Sequence, residues 1–116
     1  MAYLIDTDII IFSLKKDKRI NQWLQDNLEI PKFLSVITSG ELMYGARKSA
    51  HPNKNIATTR IAELFSILDI NKGIIEVFGD IKAKLEIAGT RLDDMDLLIA
   101  ATAIYMNLSL VNEALS

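Results

Sequence analysis

Short runs of apolar and β-branched residues alternate along this chain with longer stretches in which apolar positions recur every three or four residues. Residues 2–5 (AYLI) read as a short buried strand. Thr7 or Asp8 is placed to cap a helix running to about Lys16. Ile20, Trp23 and Leu24 stand at helical spacing and predict a second short helix. Pro31 breaks the chain, and KFLSVIT after it reads as a strand. SGELMYGARKSA then looks helical, and HPN at 51–53 reads as a turn.

From residue 55 onward Ala57, Ile61, Leu64, Phe65 and Leu68 keep a period of about 3.6, which predicts a helix, with a brief strand around ILDI. Val77, Phe78, Ile81, Leu85 and Ala88 mark a further amphipathic helix that Gly89 ends. DLLIAATAIYM is apolar on nearly every face and predicts a central buried helix, with Ala100, Ala101 and Ala103 permitting close packing. LSLV reads as a last strand. Strands alternating with helices imply one α/β domain spanning residues 1–116, a sandwich around a parallel sheet.

Composition sharpens this picture in a few respects. The chain has 116 residues, half of them hydrophobic, enough for a real core. It has no cysteine, which excludes disulfides and thiolate metal sites and fits a reducing, cytoplasmic setting. The formal charge of −2 supplies no overall basic field to attract nucleic acid, although a local basic groove remains compatible with it. The first residues show no basic-then-apolar leader pattern, and the apolar segment at 97–106 is too short to cross a bilayer. No membrane association is expected.

Candidate chemistry lies in the acids. Asp6 ends the first strand between apolar neighbours, Glu41 follows the second in the first turn of its helix, and Asp96 opens the apolar helix just after Asp93 and Asp94. Beyond the carboxyl ends of parallel strands is where ligands gather in such sheets. Converging carboxylates repel, and a hard divalent cation with oxygen ligands, Mg²⁺ or Mn²⁺, removes the repulsion. Each acid also has a plainer role. Thr38–Glu41 fits a capping box, Asp93–Asp96 permits the same logic, and Asp8 suits a helix N-terminus. Asp6, at a strand end, resists that account best. His51 reads as a turn residue, and Trp23 and Tyr44 as core or interface. Arg47, Lys48, Lys54, Arg60 and Arg91 read as solvated cations that can meet phosphates.

Taken together, YLIDTDIII, SVITSGELMYGARKS and GTRLDDMDLLIAATAI resemble, in order and spacing, the PIN-domain family, and within it the VapC-type ribonuclease toxins. The resemblance covers essentially the whole chain. It implies a three-layer α/β/α sandwich with a central parallel sheet and an acidic pocket that cleaves RNA with Mg²⁺ or Mn²⁺. The family's acids fall on Asp6, Glu41 and Asp96, with Asp94 matching a further acid. On this reading Asp6 and Asp96 bind the metal, while Glu41 and Asp94 complete its shell or orient the attacking water. The resemblance also implies a cognate antitoxin protein as partner and a homodimer. The chain departs from the family at LSLVNEALS, where a threonine and a further strand are expected. It therefore reads as C-terminally short, with Asn112 or Glu113 as candidates for a missing fourth group. A catalytically impaired remnant that only binds an antitoxin is the alternative expectation. A phosphoacceptor using Asp6 is a weaker one, because no lysine follows Lys84.

Overall fold

The computed structural model describes residues 1–113, apart from the side chains of residues 54, 55, 61 and 62. The expectations for Lys54 and Ile61 therefore lie outside the described side chains. In chain order the elements are β1 (Tyr3–Ile5), α1 (Thr7–Leu14), α2 (Lys18–Asp26), β2 (Lys32–Ser35), α3 (Val36–Lys48), α4 (Pro52–Glu63), β3 (Ser66–Leu68), α5 (Lys72–Ile87), α6 (Asp94–Met106) and β4 (Ser109–Val111).

The four strands form one parallel sheet in the order β3-β2-β1-β4. Within β1, Tyr3 pairs with both Lys32 and Ser109, so this strand is enclosed on both edges. It is also covered on both faces. Ile5 joins Ile9, Ile10, Ile20, Leu34, Leu42 and Val111 in one core layer. Leu4, pointing the other way, packs with Ile99 and Ala103 of α6 and with Phe33, Ile37, Leu68 and Leu108. This is the expected α/β/α sandwich, and it explains why β1 reads as a continuous apolar run. Burying each such Leu or Ile contributes about 1.5–3 kcal/mol.

Several boundaries differ from the sequence reading, each for a local reason. β2 stops at Ser35 because the Ser35 hydroxyl accepts the Ile37 N–H at 3.0 Å and starts α3. Pro52 begins a helix rather than sitting in a turn, at a position where its missing N–H costs nothing. The periodic run from residue 57 ends at Glu63, and Leu68 belongs to β3. α5 does end at the predicted glycine: Gly89 has φ 83°, and the Thr90 N–H reaches back to the Leu85 carbonyl at 2.8 Å. α6 is less enclosed than its apolar sequence predicts. Leu97, Ile99, Ala101 and Ala103 are buried, but Ile104, Tyr105 and Met106, at the end of the helix, are exposed.

Candidate active site

Asp6 stands where β1 gives way to α1. Its backbone N–H is held by the Val111 carbonyl at 2.9 Å, tying it to the end of β4. Its side chain is the N-cap of α1, with Oδ1 accepting the Thr7 N–H at 2.7 Å. The cap is therefore Asp6 itself, not Thr7 or Asp8 as the sequence suggested. Capping does not exhaust the residue, because it engages one carboxylate oxygen. Burial pushes the Asp6 carboxyl above the usual carboxylate range. The Thr7 hydrogen bond opposes this, and the nearby charges of Asp8, Asp96 and Glu41 add to the rise.

Glu41 comes from α3 as its sixth residue, in the second turn rather than the first. The capping-box reading of Thr38 and Glu41 is overturned, since Ser35 caps this helix. Instead the Thr7 hydroxyl lies 2.6 Å from Glu41 Oε1 and 3.1 Å from Thr38 Oγ1, joining α1 to α3. Asp96 is the third residue of α6 and is exposed, while Asp93 caps that helix through the Met95 N–H at 3.2 Å. α6 reaches the site because it runs antiparallel to the strands, which brings its N-terminus to their carboxyl ends.

Asp94 is placed differently. Its Oδ1 is 2.9 Å from the Lys82 ammonium on α5, in an exposed pair. The charges that act on Asp6 are those of Asp8, Asp96 and Glu41. Asp8, read from sequence as a helix-terminal charge, has a buried Oδ1 that lacks a hydrogen-bond partner among the described residues. Thr7 and Asp8 were thus under-read. Their signal was the unbroken Asp-Thr-Asp, which puts a β-branched hydroxyl between two acids at a helix start. Arg47, Lys48 and Arg91 are exposed, and Trp23 packs on Tyr3 with ring centroids 5.3 Å apart. Tyr44, expected in a core or interface, is 66% exposed.

The donor chemistry fits a hard divalent cation. Every candidate ligand is a carboxylate oxygen, the charges of Asp8, Asp96 and Glu41 raise the proton affinity of Asp6, and Asp8 Oδ1 is an orphan. As the side chains stand, no three His, Asp or Glu groups among the described residues are gathered closely enough to enclose one ion.

Comparisons with known proteins agree with the fold. The family model described as PIN domain matches residues 3–113. The chain is 35% identical to Ribonuclease VapC2 of Haemophilus influenzae, over 99% of this chain and 88% of that protein. It is 31% identical to the tRNA(fMet)-specific endonuclease VapC of Shigella flexneri, over 89% and 79%. Among solved structures it is similar to VapBC2 from Rickettsia felis bound to a DNA fragment from their promoter. That match has a TM-score of 0.88 at 28% identity and covers 97% of this chain and 87% of that one.

Proposed function

The chain belongs to the PIN domain family, and on that premise we propose that it is a divalent-metal-dependent endoribonuclease, the toxin of a toxin–antitoxin pair. The observation that carries the reading is that Asp6, at the carboxyl end of β1, is under the charges of Glu41 and Asp96 from two other elements. Asp6 and Asp96 would hold the cation, Mg²⁺ or Mn²⁺. When bound, it lowers the pKa of a water and offsets charge on the phosphate oxygens. Glu41 orients the attacking water and accepts its proton, which needs a carboxylate of fixed direction. Asp6, anchored by its backbone to β4 and by its side chain to the Thr7 N–H, is the rigid reference point of the set. Arg47, Lys48 and Arg91 are the cations available to the RNA backbone.

The relatives named as ribonucleases, and the neighbours solved as VapBC complexes, support the ribonuclease and the antitoxin assignments. A groove between α3 and α4 offers a place for the antitoxin. It encloses about 500 Å³ and is lined by Leu42, Met43, Thr58, Phe65 and Ile67. Among the described residues no helix is long and apolar enough to cross a membrane. The exposed Ile104, Tyr105 and Met106 of α6 are available to a second copy in a homodimer.

The loose spacing of the acids favours a second reading, a fold that binds antitoxin without cutting RNA. Incubating RNA with the purified chain and Mn²⁺, beside Asp6→Asn, separates the two. The enzyme reading expects cleavage that chelation and the substitution both abolish. Cleavage indifferent to both, or none while the antitoxin still binds, removes it.

A further inference from the structure

Glu41 is restrained by a contact that the acid set does not explain. The Thr7 hydroxyl is 2.6 Å from Glu41 Oε1 and 3.1 Å from Thr38 Oγ1. A hydroxyl has one proton. The shorter contact, to a carboxylate, takes it, since charge-assisted hydrogen bonds are the stronger kind. Thr38 must then donate to Thr7, giving an ordered chain Thr38→Thr7→Glu41. Thr38 is fully buried, so this chain also satisfies its hydroxyl.

Thr7 does a second thing. Its backbone N–H donates to Asp6 Oδ1 at 2.7 Å. One residue therefore grips two acids, Asp6 with its backbone and Glu41 with its side chain, across 34 positions of sequence. The helix does not need that hydroxyl. Thr7 is the first residue of α1, and Asp6 already supplies the cap. A β-branched side chain has few χ1 choices, so its hydroxyl is a stiff anchor. Glu41 has three rotatable bonds, and fixing Oε1 removes most of that freedom while leaving Oε2 outside the clamp.

We propose that Thr7, backed by the buried Thr38, is a positioning residue that sets the separation of Glu41 from Asp6 and so prepares both carboxylates for cation binding and catalysis. The proposal deepens the ribonuclease reading and rests on it. Thr7 touches neither substrate nor metal in this role and acts only through the two acids.

The test uses the full chain as wild type, Thr7→Val, which keeps the shape and removes the hydroxyl, Thr7→Ser, which keeps the hydroxyl, and Thr38→Val. Three quantities are read: RNA cleavage with Mn²⁺, Mn²⁺ affinity by electron paramagnetic resonance of the free ion, and melting temperature. For Thr7→Val, kcat and Mn²⁺ affinity should each fall about 10- to 100-fold, the scale for removing a residue that orients a metal ligand. KM should stay near wild type, and melting temperature should fall by a few degrees, because Thr38 loses the partner of its buried hydroxyl. Thr7→Ser should recover most of both losses, and Thr38→Val should show a smaller loss in the same direction. If Thr7→Ser is as impaired as Thr7→Val, the role is packing and the proposal is wrong. Wild-type values in Thr7→Val also overturn it. Should Thr7→Val not fold, Thr38→Val decides: unchanged Mn²⁺ affinity and kcat sink the clamp. If the wild type cuts no RNA, the ribonuclease reading falls, and the Mn²⁺ titration alone decides this one. A wild type that neither cuts RNA nor binds Mn²⁺ overturns both.

Discussion

A carboxylate held partly out of water among three like charges is costly, and its consequences can be worked out at Asp6. Its pKa lies above the unfolded value of 3.8 because of burial first and the surrounding acids afterwards. The folded chain therefore binds this proton more tightly than the unfolded chain. The stability so gained is fully present below the unfolded pKa and is lost as pH rises through the raised one. Metal-free protein should consequently melt at a lower temperature as pH climbs through that window. Asp6→Asn removes the charge but keeps an N-cap as good as aspartate. It should flatten the melting curve against pH, melt no lower than wild type at neutral pH, and lose cleavage by about 10²-fold or more. A melting temperature against pH that is the same for both proteins would rule out this account of Asp6. Asp94 and Asp96 make a sharper contrast, two residues apart in one helix. Asp94 faces Lys82 in an exposed pair, which contributes little to stability. Asp94→Asn should leave cleavage within about threefold of wild type, while Asp96→Asn should abolish it; equal losses would restore Asp94 to the site. The positions of the acids were legible in the sequence because carboxylates in apolar surroundings are conspicuous. Which of them acts on Asp6 was not, because helix rotation decides it: Asp94, paired with Lys82, and Asp96, whose charge adds to the rise at Asp6, differ by about 200° around α6.

Elements were legible where local chemistry and tertiary packing agreed. α5 ended at Gly89 because a left-handed φ and two backward hydrogen bonds close it, and glycine alone enters that conformation without cost. β2 was read too long because Val36, Ile37 and Thr38 are β-branched, yet the Ser35 cap turns them into helix. One helix–helix contact was invisible in the sequence. Gly73 lies in the first turn of α5, and a Cβ built there would fall inside the ring of Tyr105 from α6. In most helices Gly→Ala gains about 0.5–1 kcal/mol. Here the gain should vanish or reverse, by an amount limited because the Tyr105 ring is half exposed and can swing aside. Gly73→Ala combined with Tyr105→Ala should show the ordinary gain over Tyr105→Ala alone. Chemical denaturation of the four proteins in this cycle measures the coupling. If Gly73→Ala gains equally in both backgrounds, the close approach of α5 and α6 is not there.

On the scale of the whole molecule, strand order decides where chemistry can occur. β1 has β2 on one side and β4 on the other, so the chain leaves its carboxyl end in a crevice flanked by connections that diverge, and Asp6 stands at that crevice. The sequence implied a parallel sheet through its alternation of elements, but not that order, because each strand is three or four residues long and apolar on both faces. Surface coverage was equally hidden. The chain alone leaves Met43 48% and Ile67 44% exposed beside the α3–α4 groove. Apolar side chains rimmed by Arg47 and Glu63 are the composition of a surface that meets another protein. If the antitoxin lies there, its apolar side chains must displace water from Met43, and an acid at that position would have to be desolvated against an apolar partner surface. Met43→Asp should therefore weaken antitoxin binding about tenfold or more, measured by calorimetry. RNA cleavage by the free toxin should fall far less than antitoxin binding, since Met43 is not among the acids around Asp6 or the threonines that hold Glu41, and of the cations available to RNA only the exposed Arg47 lies within a helical turn of it. Undiminished antitoxin binding would move the partner to another face, with the exposed end of α6 the next to test.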